Sequence, residues 1–136
     1  MPKRLPPDSG ASHPFGQLIG LTFAERAPGF SRCALGVDAK LLNPHRVVHG
    51  GVIFSMADTG MGAALYPCIE DDELCATVEI KIAYFHPVTG GVLTCDSRLV
   101  HKTRRLAFLD SEVTNDGRLV ARATGTFSVF KRSRAD

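Results

Sequence analysis

The chain has 136 residues, a net charge of +2 and 44% hydrophobic residues, which indicate a globular protein rather than a disordered or fibrous one. The small charge and short basic clusters argue against a nucleic-acid-binding module. No apolar run reaches the roughly 18 to 20 residues of a membrane helix, and the Pro-rich, polar N-terminal segment has no apolar signal-peptide core, so we expect a cytoplasmic protein with no membrane partner.

The first third of the chain predicts a lead-in, a short helix and a pair of strands. Residues 1–12 carry three prolines and are expected to form a flexible lead-in to a single domain over residues 13–136. The elements predicted next are one helix and two strands, over residues 15–19, 21–27 and 30–37. Pro28-Gly29 indicates a turn that could join the two strands as a hairpin.

The centre of the chain predicts one long helix. Within residues 47–69 the only formally charged residue is Asp58, and the stretch is too long for one strand. We expect a helix over residues 50–65 that ends before Pro67 and is buried nearly all round, because it is apolar nearly all round. Three small residues on it would let a sheet or a second helix approach closely: Ala57, Gly60 and Ala64.

The second half of the chain predicts four strands joined by short turns. They are expected over residues 77–85, 92–101, 106–114 and 119–130. Gly90-Gly91 is interpreted as a hairpin turn, and Asn115-Asp116-Gly117 is a strong tight-turn signal. In the first of these strands, alternation predicts one shared face for Val78, Ile80, Ile82 and Tyr84. Consecutive strands with one helix to cover them predict an α+β fold with an antiparallel sheet around the helix.

Two motifs carry a resemblance to a known family. Asn43, then His49-Gly50-Gly51, then Asp58 eight positions past the first glycine resembles the PaaI-like branch of the hotdog-fold thioesterases. The stretch over residues 75–87 resembles the next element of that family. The resemblance covers about residues 14 to 130 and implies the hotdog fold, an antiparallel β-sheet wrapped around one long central α-helix. Where the family often has glycine, this chain has His45-Arg46, which affects the shape of the loop.

The resemblance also implies an activity, the hydrolysis of acyl-CoA thioesters with a medium-chain or aryl acyl group to free acid and CoA. Asp58 would be the base or the nucleophile, and the Gly50 N–H would polarise the thioester carbonyl. Asn43 and His49 match positions that shape the site, and Thr77 matches a hydroxyl position that helps to hold the attacking water. CoA would enter as part of the substrate, and no cofactor or metal is expected.

The residues themselves favour these roles. A helix N-terminus presents unpaired N–H groups, and glycine lets a substrate carbonyl come close, so Gly50 and Gly51 suit a developing oxyanion. A carboxylate such as Asp58 is costly to bury unpaired in an apolar helix, which favours a functional role. The alternatives are a tight turn at the glycines, a buried ion pair or cap at Asp58, a structural His49, and a Thr77 that only forms strand.

A basic cluster lies at a turn predicted between two of the later strands. Lys102, Arg104 and Arg105 are candidates to bind the phosphates of CoA, and solvated surface is the alternative.

The spacing of Gly50 and Asp58 predicts a shared site. Eight residues of helix separate them by about 12 Å at ~1.5 Å per residue, whereas both would need to approach one thioester within ~3 Å. A two-fold dimer with antiparallel central helices would bring Gly50 of one subunit to Asp58 of the other and form two such sites. The resemblance implies the same arrangement, a dimer or a homotetramer of hotdog dimers.

Two other functions are compatible with this fold. One is a non-catalytic acyl-CoA-binding module, which would not need the carboxylate of Asp58, and the other is a dehydratase or hydratase, whose usual motifs are not found. Serine-hydrolase, phosphate-loop and dinucleotide motifs are missing, and the four cysteines and five histidines show no metal-ligand spacing. The sequence leaves open the acyl group, the choice between CoA and an acyl carrier protein, and the tetramer arrangement.

Overall fold

The computed structural model describes residues 13–133, in which one antiparallel sheet packs against one long helix. The predicted lead-in over residues 1–12 lies outside the described residues. The helices are α1 (Pro14–Ile19) and α2 (Gly50–Leu65), and the strands are β1 (Thr22–Ala27), β2 (Phe30–Gly36), β3 (Glu73–Tyr84), β4 (Val92–Lys102), β5 (Leu106–Asn115) and β6 (Arg118–Lys131). The predicted hotdog architecture is confirmed, and α2 has the predicted bounds, followed by a 3₁₀ turn that contains Pro67.

The strands form one sheet in the order β1-β2-β4-β5-β6-β3, and all neighbouring pairs are antiparallel. Gly29 has φ 81° in the turn between β1 and β2, and Asp116 and Gly117 have φ 48° and 89° in the turn between β5 and β6. These left-handed conformations are the ones that tight hairpin turns require, so both predicted hairpins are confirmed. Among the described strands, β3 lies at one edge of the sheet and pairs only with β6.

The predicted hairpin at Gly90-Gly91 is wrong. β3 pairs with β6, whereas β4 pairs with β2 and β5, so the segment between β3 and β4 connects strands that are not neighbours. Gly91 does adopt a left-handed conformation, with φ 79°, and a Cβ there would collide with the Asp116 carboxylate. Gly90-Gly91 therefore indicates a local turn, and a local turn does not determine which strands pair.

One side of α2 packs closely on the sheet. The buried residues of the helix are Ile53, Met56, Ala57, Gly60, Met61, Ala64 and Leu65. At Gly60 the approach is so close that a Cβ would lie 2.5 Å from Ser97 Oγ. Ser31 Oγ donates to the Gly60 carbonyl at 2.6 Å, and Ser97 Oγ and Ser111 Oγ share a hydrogen bond of 2.7 Å, so these buried hydroxyls are paired.

The opposite side of α2 is only partly covered within one chain, so the prediction of nearly complete burial is wrong for the single chain. Gly51, Ser55, Asp58 and Gly62 follow one another at spacings of three or four residues, and each is half-buried or exposed. The sheet reaches only one side of the helix because β1 and β3 remain open edges among the described strands.

A bulge in β3 changes the predicted faces of this strand. Thr77 lies opposite Phe127 and Glu79 lies opposite Thr126, so Val78 is the extra residue. Val78 is 58% exposed, whereas Ile80 and Ile82 pack against the core. The predicted alternation holds from Ile80 onwards and is wrong for Val78, because the bulge turns Thr77 towards α2 instead.

Candidate active site

Asp58 and Thr77 meet where α2 passes the edge strand β3. Thr77 Oγ1 donates to Asp58 Oδ1 at 2.7 Å. Within residues 13–133 no other hydrogen bond or ion pair reaches this carboxylate, so the ion pair considered from the sequence is not formed among these residues. Because Asp58 is only half-buried, its second oxygen can contact water or a substrate.

The first turn of α2 brings His49, Gly50 and Gly51 together. His49 is the N-cap residue, and its Nδ1 accepts the Gly51 N–H at 2.8 Å. This ring nitrogen is therefore the acceptor of the hydrogen bond that caps the helix. The Gly50 N–H meets no acceptor in the described part of the chain, so of the two glycine donors it is the one available to a ligand.

Asn43 shapes the loop that leads to this turn. Its side-chain carbonyl accepts the backbone N–H groups of His45 at 2.8 Å and Val47 at 3.4 Å. Arg46 has φ 64°, a left-handed conformation that glycine adopts most readily. Its backbone N–H donates to the backbone carbonyl of Asn43 at 2.9 Å. The loop thus takes a glycine-like turn in the stretch where the family often has glycine, with Asn43 holding it.

An open recess of about 320 Å³ lies beside Gly50. It is lined mainly by apolar side chains, namely those of Val47, Val48, Ile53, Tyr84, Phe85, Pro87 and Val88, together with His86. The Tyr84 hydroxyl donates to the Gly50 carbonyl at 2.7 Å, and burial raises the pKa of this phenol. Tyr84 was not predicted as a site residue, although its place on the face of β3 shared with Ile80 and Ile82 pointed towards the helix.

A second open recess, of about 450 Å³, lies near His49 on the side of α1. It is lined by Leu18, Ile19, Lys40, Leu41, Leu42 and Val52 as well as His49. The capping histidine therefore contacts this recess, whereas Gly50 lines the first one.

The predicted CoA-binding cations lie towards the other end of α2. Gly29 donates to Ala64 near the end of α2 and accepts from Leu99 in β4, which places the following β4–β5 turn at that end. The turn carries Lys102, Arg104 and Arg105, of which the two arginines are exposed. Within one chain, these cations therefore do not lie beside Gly50.

The described residues contain no helix that is long and apolar enough to cross a membrane. Among the same residues, no group of three or more His, Cys, Asp or Glu side chains is arranged to hold a metal ion. No disulfide joins the described cysteines, and a hydrogen bond with Cys95 together with burial raises the pKa of the Cys33 thiol.

A family model matches the segment of the chain that carries these site residues. The family model described as Thioesterase superfamily matches residues 45–121, a segment that contains His49, Gly50, Asp58 and Thr77. The chain belongs to the thioesterase superfamily. Its catalytic activity is therefore thioester hydrolysis, which does not support the non-catalytic binding module left open by the sequence.

Individual relatives narrow the family to the PaaI-like hotdog thioesterases. The acyl-coenzyme A thioesterase PaaI of Escherichia coli is 29% identical over 100 residues, which cover 73% of this chain and 69% of that protein. A mutant of the phenylacetic acid degradation protein PaaI from Thermus thermophilus superposes with a TM-score of 0.79 at 30% identity, covering 85% of this chain and 97% of that one. A conserved protein from Pseudomonas aeruginosa gives a TM-score of 0.82 at 34% identity, covering 85% and 93%. The predicted resemblance is thus confirmed.

Proposed function

We propose that this thioesterase hydrolyses acyl-CoA thioesters that carry a medium-chain or aryl acyl group, at sites shared by two copies of the chain. The Gly50 N–H of one copy polarises the thioester carbonyl, and Asp58 of the other copy is the base or the nucleophile. The observation that supports this most directly is a pair of available groups, an unpaired Gly50 N–H at a helix start and an Asp58 carboxylate held at one oxygen by Thr77.

The chemistry needs both groups because negative charge moves from the attacking oxygen to the carbonyl oxygen. In the general-base route, Asp58 accepts a proton from water as the water oxygen attacks the carbonyl carbon. The resulting oxyanion accepts the Gly50 N–H, its collapse breaks the C–S bond, and the proton on Asp58 passes to the departing sulfur, which releases acid and thiol. In the nucleophilic route, an Asp58 oxygen displaces the thiolate and water then hydrolyses the acyl anhydride. Both routes consume one water and leave Asp58 unchanged.

The remaining site residues support these two groups. Thr77 orients Asp58 through its 2.7 Å hydrogen bond and helps to hold the water. His49 engages the Gly51 N–H, and Asn43 holds the loop before it, so that the helix starts at Gly50. Gly51 contacts the substrate through its backbone, and its lack of a side chain makes room for the His49 ring, since a Cβ there would lie 2.9 Å from His49 Nδ1.

Gly50 and Asp58 of one helix are too far apart to act on the same thioester, and a two-fold dimer would bring Gly50 of one copy to Asp58 of the other. The outer edge of β3 is unpaired among the described strands, and Val78 on it is 58% exposed. Long edge strands with exposed apolar residues are usually covered, and pairing with a second β3 would cover this one. The same symmetry would set two α2 helices antiparallel, along the half-exposed side that carries Asp58. Two such dimers could form a homotetramer.

The acyl group and the CoA phosphates of the substrate can bind at two different places, the recess and the cations. The recess beside Gly50 is mainly apolar and, at about 320 Å³, falls in the size range of small-molecule pockets, which suits the acyl group. In an antiparallel dimer, the end of one α2 would lie towards the start of the other. Lys102, Arg104 and Arg105 of one copy would then be available to the CoA phosphates of a substrate at the Gly50 of the other.

Two substitutions at Gly50 test the proposed oxyanion donor. Gly50→Pro removes the N–H, and proline suits this first helical position because His49 before it is extended, with φ −58° and ψ 131°. Gly50→Ala keeps the N–H and makes the same tight Cβ contact, 3.1 Å from the Tyr84 hydroxyl, so it is the matched control. We expect the proline variant to have a kcat about 10²-fold or more below that of the alanine variant in an assay of thiol release from acyl-CoA. Equal rates would contradict the donor role.

Mixed oligomers test whether the site is shared. Asp58→Asn alone should lower kcat about 10²- to 10⁴-fold with the fold intact. When Asp58→Asn and Gly50→Pro subunits are mixed, a mixed dimer has one site with both groups intact and one with neither. Random exchange makes about half of the dimers mixed, so the mixture should recover about a quarter of the wild-type activity. A mixture as inactive as its two components would show that each chain acts alone.

A further inference from the structure

Two side chains hold one peptide group at the start of α2. The Tyr84 hydroxyl donates to the Gly50 carbonyl at 2.7 Å, and the N–H of Gly51 donates to His49 Nδ1 at 2.8 Å. The carbonyl of Gly50 and the N–H of Gly51 belong to the same peptide, which therefore has a side-chain partner at each end. Hydrogen bonds that act through one polar group in this way polarise and reinforce each other.

The contacts at this peptide leave little space for other residues. A Cβ at Gly50 would lie 3.1 Å from the Tyr84 hydroxyl and 3.2 Å from Cζ of its ring, and a Cβ at Gly51 would lie 2.9 Å from His49 Nδ1. Two successive glycines have wide conformational freedom, which would let the first turn of the helix adopt several orientations. The two side-chain partners restrict this freedom, and Gly50 still lines the open recess.

We infer that Tyr84 is a positioning residue for thioester hydrolysis, which together with His49 fixes the Gly50–Gly51 peptide and thereby the direction of the Gly50 N–H. This inference rests on the proposed role of Gly50 as oxyanion donor. The action of Tyr84 is indirect, since its hydroxyl contacts the backbone of Gly50 rather than a reacting atom. A tyrosine hydroxyl is protonated at neutral pH and can donate, and burial raises the pKa of this phenol further.

The hydroxyl and the ring of Tyr84 can be tested separately. The ring lines the recess beside Gly50, so its loss would alter substrate binding as well as the peptide. Tyr84→Phe keeps the ring and removes only the hydrogen bond. Thr22→Val is the control, because it also removes a hydroxyl that donates to a backbone carbonyl, that of Ala34, but in β1 at the edge of the sheet opposite β3.

Steady-state kinetics of thiol release from acyl-CoA give the first readout. We expect Tyr84→Phe to lower kcat about three- to tenfold with KM within about twofold of wild type, since orienting an oxyanion donor matters most in the transition state. Thermal unfolding should show that the variant remains folded, and Thr22→Val should leave kcat unchanged. A Tyr84→Phe enzyme with wild-type kcat, or one in which only KM changes, would overturn the inference.

A double-mutant cycle with His49 gives the second readout. His49→Ala removes the acceptor at the other end of the peptide, whereas His49→Asn keeps a side chain that is favoured at the N-cap and should retain most of the kcat. If both side chains act through one peptide, kcat of the His49→Ala/Tyr84→Phe double variant should fall by less than the product of the single effects. Independent, multiplying effects would overturn the inference.

The proposed role of Gly50 and the inferred role of Tyr84 are contradicted by different results. If Gly50→Pro and Gly50→Ala have the same kcat, the proposed donor itself is wrong and the inference about Tyr84 falls with it. If Gly50→Pro loses activity relative to Gly50→Ala while Tyr84→Phe does not, only the role of Tyr84 is wrong.

Discussion

Replacing Thr77 with valine tests the support of Asp58 directly. Valine keeps the β-branched shape in β3 but lacks the hydroxyl that donates to Asp58 Oδ1 at 2.7 Å. A hydrogen bond to a charged acceptor contributes about 1.5 to 3 kcal/mol, and because Thr77 is exposed to solvent we take the lower limit. At ~1.36 kcal/mol per factor of ten in rate, 1.5 kcal/mol corresponds to a loss in kcat of about tenfold.

The assay compares Thr77→Val with Thr77→Ser, which keeps the hydroxyl in a smaller side chain. Initial rates of thiol release over a series of acyl-CoA concentrations give kcat and KM for both variants and wild type. We expect the tenfold loss for valine and a loss of no more than about threefold for serine, because the hydroxyl rather than the shape orients the carboxylate. A valine variant as fast as wild type would refute this reasoning, and so would a serine variant as slow as the valine one.

Two further predictions concern stability. Gly60→Ala should lower the free energy of unfolding in urea by about 1 to 2 kcal/mol, because a Cβ 2.5 Å from Ser97 Oγ overpacks the core by more than the ~1 kcal/mol that alanine adds to helix propensity. The same change in a Ser97→Ala background should cost less, and an equal cost in both backgrounds would contradict this contact as the cause. Arg32 lowers the pKa of Asp96 below its ordinary value of 3.8 through hydrogen bonds of 2.7 and 2.8 Å, so the stability that this carboxylate contributes is present above that value and is lost as the pH falls through the lowered one. Asp96→Asn should therefore be less stable than wild type at pH 7 and approach it in strongly acidic solution, and a difference that does not change with pH would contradict the ion pair.

The long helix and its carboxylate could be predicted from the sequence because their signals are local. A run of apolar and small residues of that length is compatible with helix and not with a single strand, and Pro67 limits its end. Asp58 was identifiable because no other charged residue lies within residues 47–69. The family motif added Asn43 and Thr77, whose spacing alone would not have related them to the helix.

Strand pairing could not be predicted in the same way because it depends on distant parts of the chain. Gly90-Gly91 has the composition of a hairpin turn, yet β3 pairs with β6, across the sheet from β4. The cations at Lys102, Arg104 and Arg105 were predicted at a turn, which the structure has, but their position towards the far end of α2 follows only from the three-dimensional fold. Their proposed contact with CoA therefore depends on the dimer.

The bulge at Val78 places the hydroxyls of Thr77 and Tyr84 on the same face of β3. Thr77 and Tyr84 are seven residues apart, and on a regular strand an odd separation would put their side chains on opposite faces. Because Val78 is an extra residue, both side chains face α2, where Thr77 reaches Asp58 and Tyr84 reaches Gly50. One edge strand thus contacts both groups of the proposed reaction, and in the proposed dimer the same strand would form the interface. Assembly and the geometry of the site would then be coupled through β3, since a shift of this strand would move the partners of Gly50 and Asp58 together.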